Sequence, residues 1–111
     1  MSPAKPKSPK NPPSLREANQ QIVLPGAVAL DILRELEFML ISLRKMSDHA
    51  IFNPEFDFDT ATGNFVIEGK LRDRLAKVRA LLSEPFDNTL GDDDMGDIER
   101  YVEDLEFWKP S

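Results

Sequence analysis

The chain has 111 residues with 14 basic and 20 acidic side chains, a net charge of −6, and no cysteine. That length holds one domain with an ordinary core, and the missing thiols exclude disulfides, thiolate metal sites and cysteine nucleophiles. An acidic pI near 4.7 argues against direct nucleic-acid binding, which needs a basic surface against phosphate, and no apolar run approaches the roughly 20 residues of a membrane span.

Residues 1–14 (MSPAKPKSPKNPPS) contain five prolines and three lysines and almost nothing apolar. Such a segment cannot bury enough surface to offset the entropy of ordering it, so a disordered arm is expected. It lacks the apolar stretch of a secretory signal, and a cytoplasmic protein is the expectation. Residues 15–24 are transitional, which makes 1–24 arm and transition and 25–111 a single small domain. Pro25-Gly26 marks the break before the first regular element.

A first helix is predicted over residues 27–47. Ala29, Ile32, Leu33, Leu36, Leu40, Leu43 and Met46 recur at helical spacing on one side, with Met39 beside them. Leu30, Phe38 and Ile41 fall on a second side, so the helix is apolar nearly all round. That second side is the best interface signal in the chain.

After Asn53-Pro54, Phe56-Asp57-Phe58-Asp59 alternates apolar and acidic, residues 60–63 supply turn chemistry, and Phe65, Val66 and Ile67 follow. Period-two alternation around a short glycine-bearing loop predicts a two-stranded β-hairpin. A second helix is predicted over residues 68–83, with Leu71, Leu75, Val78 and Leu82 as its buried stripe and a largely basic opposite side. Pro85 ends it.

From Glu84 onward ten acidic residues face two basic ones, so the segment carries −8 and the rest of the chain about +2. A third helix is predicted over residues 93–107, capped and charge-stabilised by Asp92, Asp93 and Asp94 and burying Met95, Ile98, Val102 and Leu105. Tyr101 borders that stripe and Trp108 ends it. The basic side of the second helix and the acidic side of the third are consecutive, so ion pairs between them would absorb much of the charge separation. The fold class expected is therefore α+β and mostly helical: three helices, one β-hairpin between the first two, and a disordered N-terminal arm.

Little in the chain can do chemistry. His49 is the single histidine, the serines lack a nucleophile context, and the five glycines form no phosphate-binding loop. Asp57-x-Asp59 with Glu68, and Asp92-x-Asp94 with Glu103, have the outer spacing of a calcium loop but the wrong residues inside it. No enzyme, cofactor or metal is expected, and no membrane association.

The reading that remains is a small acidic interaction protein: an adaptor, accessory subunit or dedicated chaperone. It would bind a larger protein partner through Leu30, Phe38 and Ile41 or through the hairpin edge. Homodimerisation is the expected cover for those surfaces. The alternative is an acidic inhibitor (an immunity protein, an antitoxin or a nucleic-acid mimic). Asp92, Asp93, Asp94, Asp97, Glu99, Glu103, Asp104 and Glu106 would then block a basic site, with Tyr101 and Trp108 as anchors.

Overall fold

The computed structural model describes residues 15–111, and the expected N-terminal arm of residues 1–14 lies outside them. The described chain forms two compact units. One is residues 23–85; the other joins residues 15–22 to residues 86–111.

The first unit contains α1 (Gly26–Phe52), α2 (Phe58–Glu68) and α3 (Leu71–Ser83). α1 begins where the extended Pro25 hands over to the helix and runs five residues further than its apolar pattern predicts. It ends at Asn53, whose side-chain amide donates to the His49 carbonyl at 2.9 Å, just before Pro54 forbids another helical residue. The His49 ring meets Phe56 edge-on at 4.6 Å.

The expected β-hairpin is replaced by α2, and no strand occurs among the described residues, so the α+β assignment is corrected to all-helical. The reason lies in Asp57. Its carboxylate accepts hydrogen bonds from the Thr60 backbone N–H at 3.1 Å and the Thr60 hydroxyl at 2.7 Å, an N-cap that starts a helix. Phe58, Ala61, Thr62 and Phe65 then continue at helical spacing. Four alternating residues are too few to outweigh a cap. Phe56 and Phe58, read as strand neighbours, belong to a loop and to a helix.

Between α2 and α3 the chain turns at Gly69 and Lys70, the latter in the left-handed region at φ 52°. A Cβ on Gly69 would lie 2.6 Å from the Phe65 carbonyl oxygen and 2.9 Å from its ring, so glycine is required by close approach. Gly69→Ala should destabilise the unit by about 1–3 kcal/mol through overpacking. Lys70→Gly should instead raise stability by roughly 0.5–1 kcal/mol by relieving the left-handed backbone. Urea melts of the pair check both signs.

The contacts fix the path. His49 meets Phe56, Phe38 meets Phe65 and Arg74, and Glu35 meets Arg74 and Lys77. Positions on α1 fall as those on α2 and α3 rise, so α2 and α3 both run back along α1. The unit is a helical hairpin with one seam. At that seam Ile32, Met39 and Val78 are buried, and Leu24, Val28, Leu36, Leu71 and Leu81 are partly buried around them. One seam cannot cover the broad apolar stripe of α1. Leu33 and Leu40, expected in the core, are 57% and 62% exposed, against 5% for Ile32 and for Met39. On α3 the same shift buries Val78 and leaves Leu75 and Leu82 exposed.

The second unit contains a short 3-10 turn at Glu17–Asn19 and α4 (Asp97–Val102). α4 is much shorter than the predicted third helix. Asp93 does not cap it; its carboxylate accepts from the Met95 N–H at 3.1 Å and closes a side-chain turn. Asp94 takes φ 62°, and the Gly91 N–H donates to the Met95 carbonyl at 2.9 Å. The local turn competes with the helix and delays it to Gly96. At the other end Glu103, Asp104 and Glu106 oppose the negative end of the helix dipole, which limits extension. No helix among the described residues is long and apolar enough to cross a membrane.

Candidate functional site

The three-helix unit has two unlike sides. On one, Glu35 accepts from Arg74 at 2.8 Å and from Lys77 at 3.2 Å. These hydrogen bonds, Arg74's first, hold the Glu35 carboxyl below its usual range. The Arg74 guanidinium also donates to the Gly69 carbonyl at 2.8 Å and lies 3.9 Å from the centre of the Phe38 ring, a cation–π contact. Phe38 in turn packs on Phe65 with ring centres 5.8 Å apart. Charge, ring stacking and hydrogen bonds engage this side, although Phe38 keeps 39% exposure.

The other side is open. Leu33 and Leu40 lie about a quarter turn from the Ile32–Met39 line, and Leu75 and Leu82 lie to the same hand of Val78 on α3, at about 100° per residue. Because the helices are antiparallel, turning by the same hand on each reaches the same side of the hairpin. Glu35, Phe38, Arg74 and Lys77 turn the opposite way, in agreement with their contacts. Leu33, Leu40, Leu75 and Leu82, with Leu43 leaning toward them, therefore form one exposed apolar surface on two helices.

Of the residues singled out on the first helix, Phe38 is drawn toward α2 and Arg74. Ile41 sits half-buried beside it, along a shallow depression of about 430 Å³ that Arg34, Glu37, Ser42 and Lys45 also line. Leu30 stands apart and is exposed. Leu33, Leu40, Leu75 and Leu82 were missed as surface because hydrophobic periodicity assigns them to the core. The available signal was the excess of apolar positions over what one seam can bury.

In the second unit the acidic residues divide. Asp97 is only 6% exposed. Its carboxylate accepts from the Arg16 backbone N–H, the Asn19 amide and the Arg100 guanidinium, each at 2.8 Å. The Asn19 bond leads in holding the Asp97 carboxyl below its usual range, followed by the Arg16 N–H. Asn19, also buried, exchanges two hydrogen bonds with the Asp87 backbone at 2.9 and 2.7 Å. Arg100 forms a fork with Asp93 at 2.6 and 2.8 Å. That fork depresses the Asp93 carboxyl well below the carboxylate range and raises Arg100 further above its own. The node ties residues 16–19 to residues 87–100.

Asp92, Asp94 and Asp104 are exposed, as is Tyr101 at the edge of α4. Leu105, Phe107 and Trp108 follow, with Trp108 86% exposed. A polar depression of about 410 Å³ runs over Arg16, Thr89, Gly91, Asp93 and Arg100, but the charged groups that line it are largely engaged with one another. No group of three or more His, Asp or Glu among the described residues is placed to hold a metal ion. Among the described residues, the exposed features are the leucine surface and an acidic, aromatic C-terminal segment. No family model, curated protein or solved structure matches this chain.

Proposed function

We propose that the chain is a small acidic interaction module, an adaptor or accessory subunit without catalytic chemistry of its own. It binds a protein partner through the open leucine side of the three-helix unit. One observation carries this reading: four leucines on two adjacent helices stay largely in water, while Ile32, Met39 and Val78 are the buried hydrophobic residues among those described. Covering a leucine fully is worth about 1.5–3 kcal/mol, and contiguous apolar surface of this kind marks interaction sites.

A photoreactive leucine analogue at position 33 or 40, in the cell that makes the protein, tests it. Both positions should yield adducts with a second polypeptide chain, and the analogue at Arg34 should not. Adducts only within the chain, or none, would refute the reading.

The exposed Phe107 and Trp108 favour a second reading, the acidic inhibitor. It has less support, because Asp93 and Asp97 are engaged by Arg100 and Asn19. Association that slows steeply with added salt would favour it.

A further inference from the structure

We propose that the occupant of the leucine side is a second copy of this chain, the two hairpins pairing about a two-fold axis parallel to their helices into an antiparallel four-helix bundle. The proposal rests on the reading that the leucine side is an interaction surface, and it names the partner.

The first argument is register. Glu35 bonds both Arg74 and Lys77, so it lies level with residues 74–77 of α3. Since both helices rise by about 1.5 Å per residue, Leu75 lies about level with residue 36, midway between Leu33 and Leu40. Leu82 lies about one turn beyond Leu33. A two-fold axis parallel to the helices preserves height and sets each α1 on the partner's α3. Leu75 of the second copy then enters the gap between Leu33 and Leu40 of the first, and by symmetry the reverse. Alternating knobs of this kind are how helical bundles pack, and self-complementarity is what a two-fold interface demands.

The second argument is charge. On α1 the surface is bordered by Glu37, and on α3 by Arg72 and Arg79, all three exposed. Setting α1 on the partner's α3 places Glu37 between Arg72 and Arg79. Arg44 and Asp48, further along α1, pass beyond the end of α3. The other two-fold, across the helices, stacks α3 on α3 and sets Arg72 and Arg79 against their own copies, a like-charge arrangement.

The third argument is the poverty of the core. No side chain among the described residues is completely shut off from solvent, and units of this size are marginal alone. Two copies would convert one seam into a closed bundle interior.

The test is the native mass of the full chain by light scattering over a range of concentrations, expected at twice 12.6 kDa. Leu40→Glu should give a monomer. Glu37→Lys, and separately Arg72→Glu with Arg79→Glu, should each weaken self-association by about tenfold. Mixing these two charge variants should restore a heterodimer, because each new charge then faces its complement. The charge variants lie outside the core, so they decide the matter even where Leu40→Glu fails to fold. A monomer at every concentration, or a dimer indifferent to the charge variants and their mixing, overturns the proposal. If positions 33 and 40 still crosslink to a different polypeptide, the second-copy proposal falls while the interaction reading stands. If they crosslink to nothing, both fall.

Discussion

Met39→Ala should lower the stability of the three-helix unit by about 2–5 kcal/mol, the usual cost of emptying a buried site. Leu33→Ala, six positions away on the same helix, should cost a fraction of that within one copy. Met39 and Ile32 occupy the seam at 5% exposure while Leu33 is already wet. Three hydrophobic side chains are buried among the described residues, so few neighbours can relax into the void, and a small domain has little stability in reserve. Ile32→Ala should behave like Met39→Ala. Urea denaturation of the three variants measures the contrast. If the leucine side pairs with a second copy as proposed, any loss from Leu33→Ala should grow with protein concentration, because its effect then acts through association. Equal, concentration-independent losses at 33 and 39 would show that the buried line of α1 has been placed wrongly.

Asp97→Ala should unfasten the second unit. Three donors converge on this one carboxylate, and its loss strands the Arg16 N–H, the Asn19 amide and one arm of Arg100. A buried donor left without a partner costs more than the bond contributed. Asp97→Asn should do little better, because turning an NH₂ group toward either side places donor against donor. The melting midpoint of this unit should fall by roughly 5 °C or more, with amide signals of residues 16–19 and 86–100 losing their dispersion together. Asp92→Asn, at an exposed site, should leave both unchanged.

The same node sets an acid response. Asp87, Asp93 and Asp97 all have carboxyls held below their usual values. For Asp87 the cause is chiefly the Thr89 hydroxyl, for Asp93 Arg100, and for Asp97 Asn19. The folded unit therefore binds fewer protons than the unfolded chain. Its stabilisation is complete above the unfolded carboxylate value of about 4 and is lost as the pH falls through the lower native values. In Asp97→Asn that acid-sensitive loss should shrink.

The helical character of α1 and α3 could be read from spacing, but the rotation of each helix could not. When apolar residues occupy most of a helix's circumference, periodicity shows that it is a helix and leaves open which line is innermost. The arbiter was the contact of Phe38 with Phe65 on α2 and Arg74 on α3, a tertiary fact. α2 went unread for a different reason. Asp57 offers both an alternating pattern and a cap, and Thr60, three positions on, decides for the cap. The acidic segment was legible as charge but not as structure. A carboxylate run reads as a solvated face, yet Asp97 is enclosed because Asn19, 78 residues earlier, supplies an amide to it. Nothing in a one-dimensional pattern marks that pairing. Arg100, the lone basic residue amid the acids of α4, was the one visible hint.

The turn at Gly69 and Lys70 has a consequence for how the first unit comes apart. α2 buries none of its residues, and it is not carried as a continuous rod into α3. Fluctuations should therefore lift α2 from the far half of α1 more readily than they open the seam around Val78. Amide protons in the two halves of α1 then exchange by different events. Those near Ile32 wait for the whole unit to open, and those near Ala50 need only a local excursion. The hairpin should therefore behave as a clasp with one firm end and one that breathes.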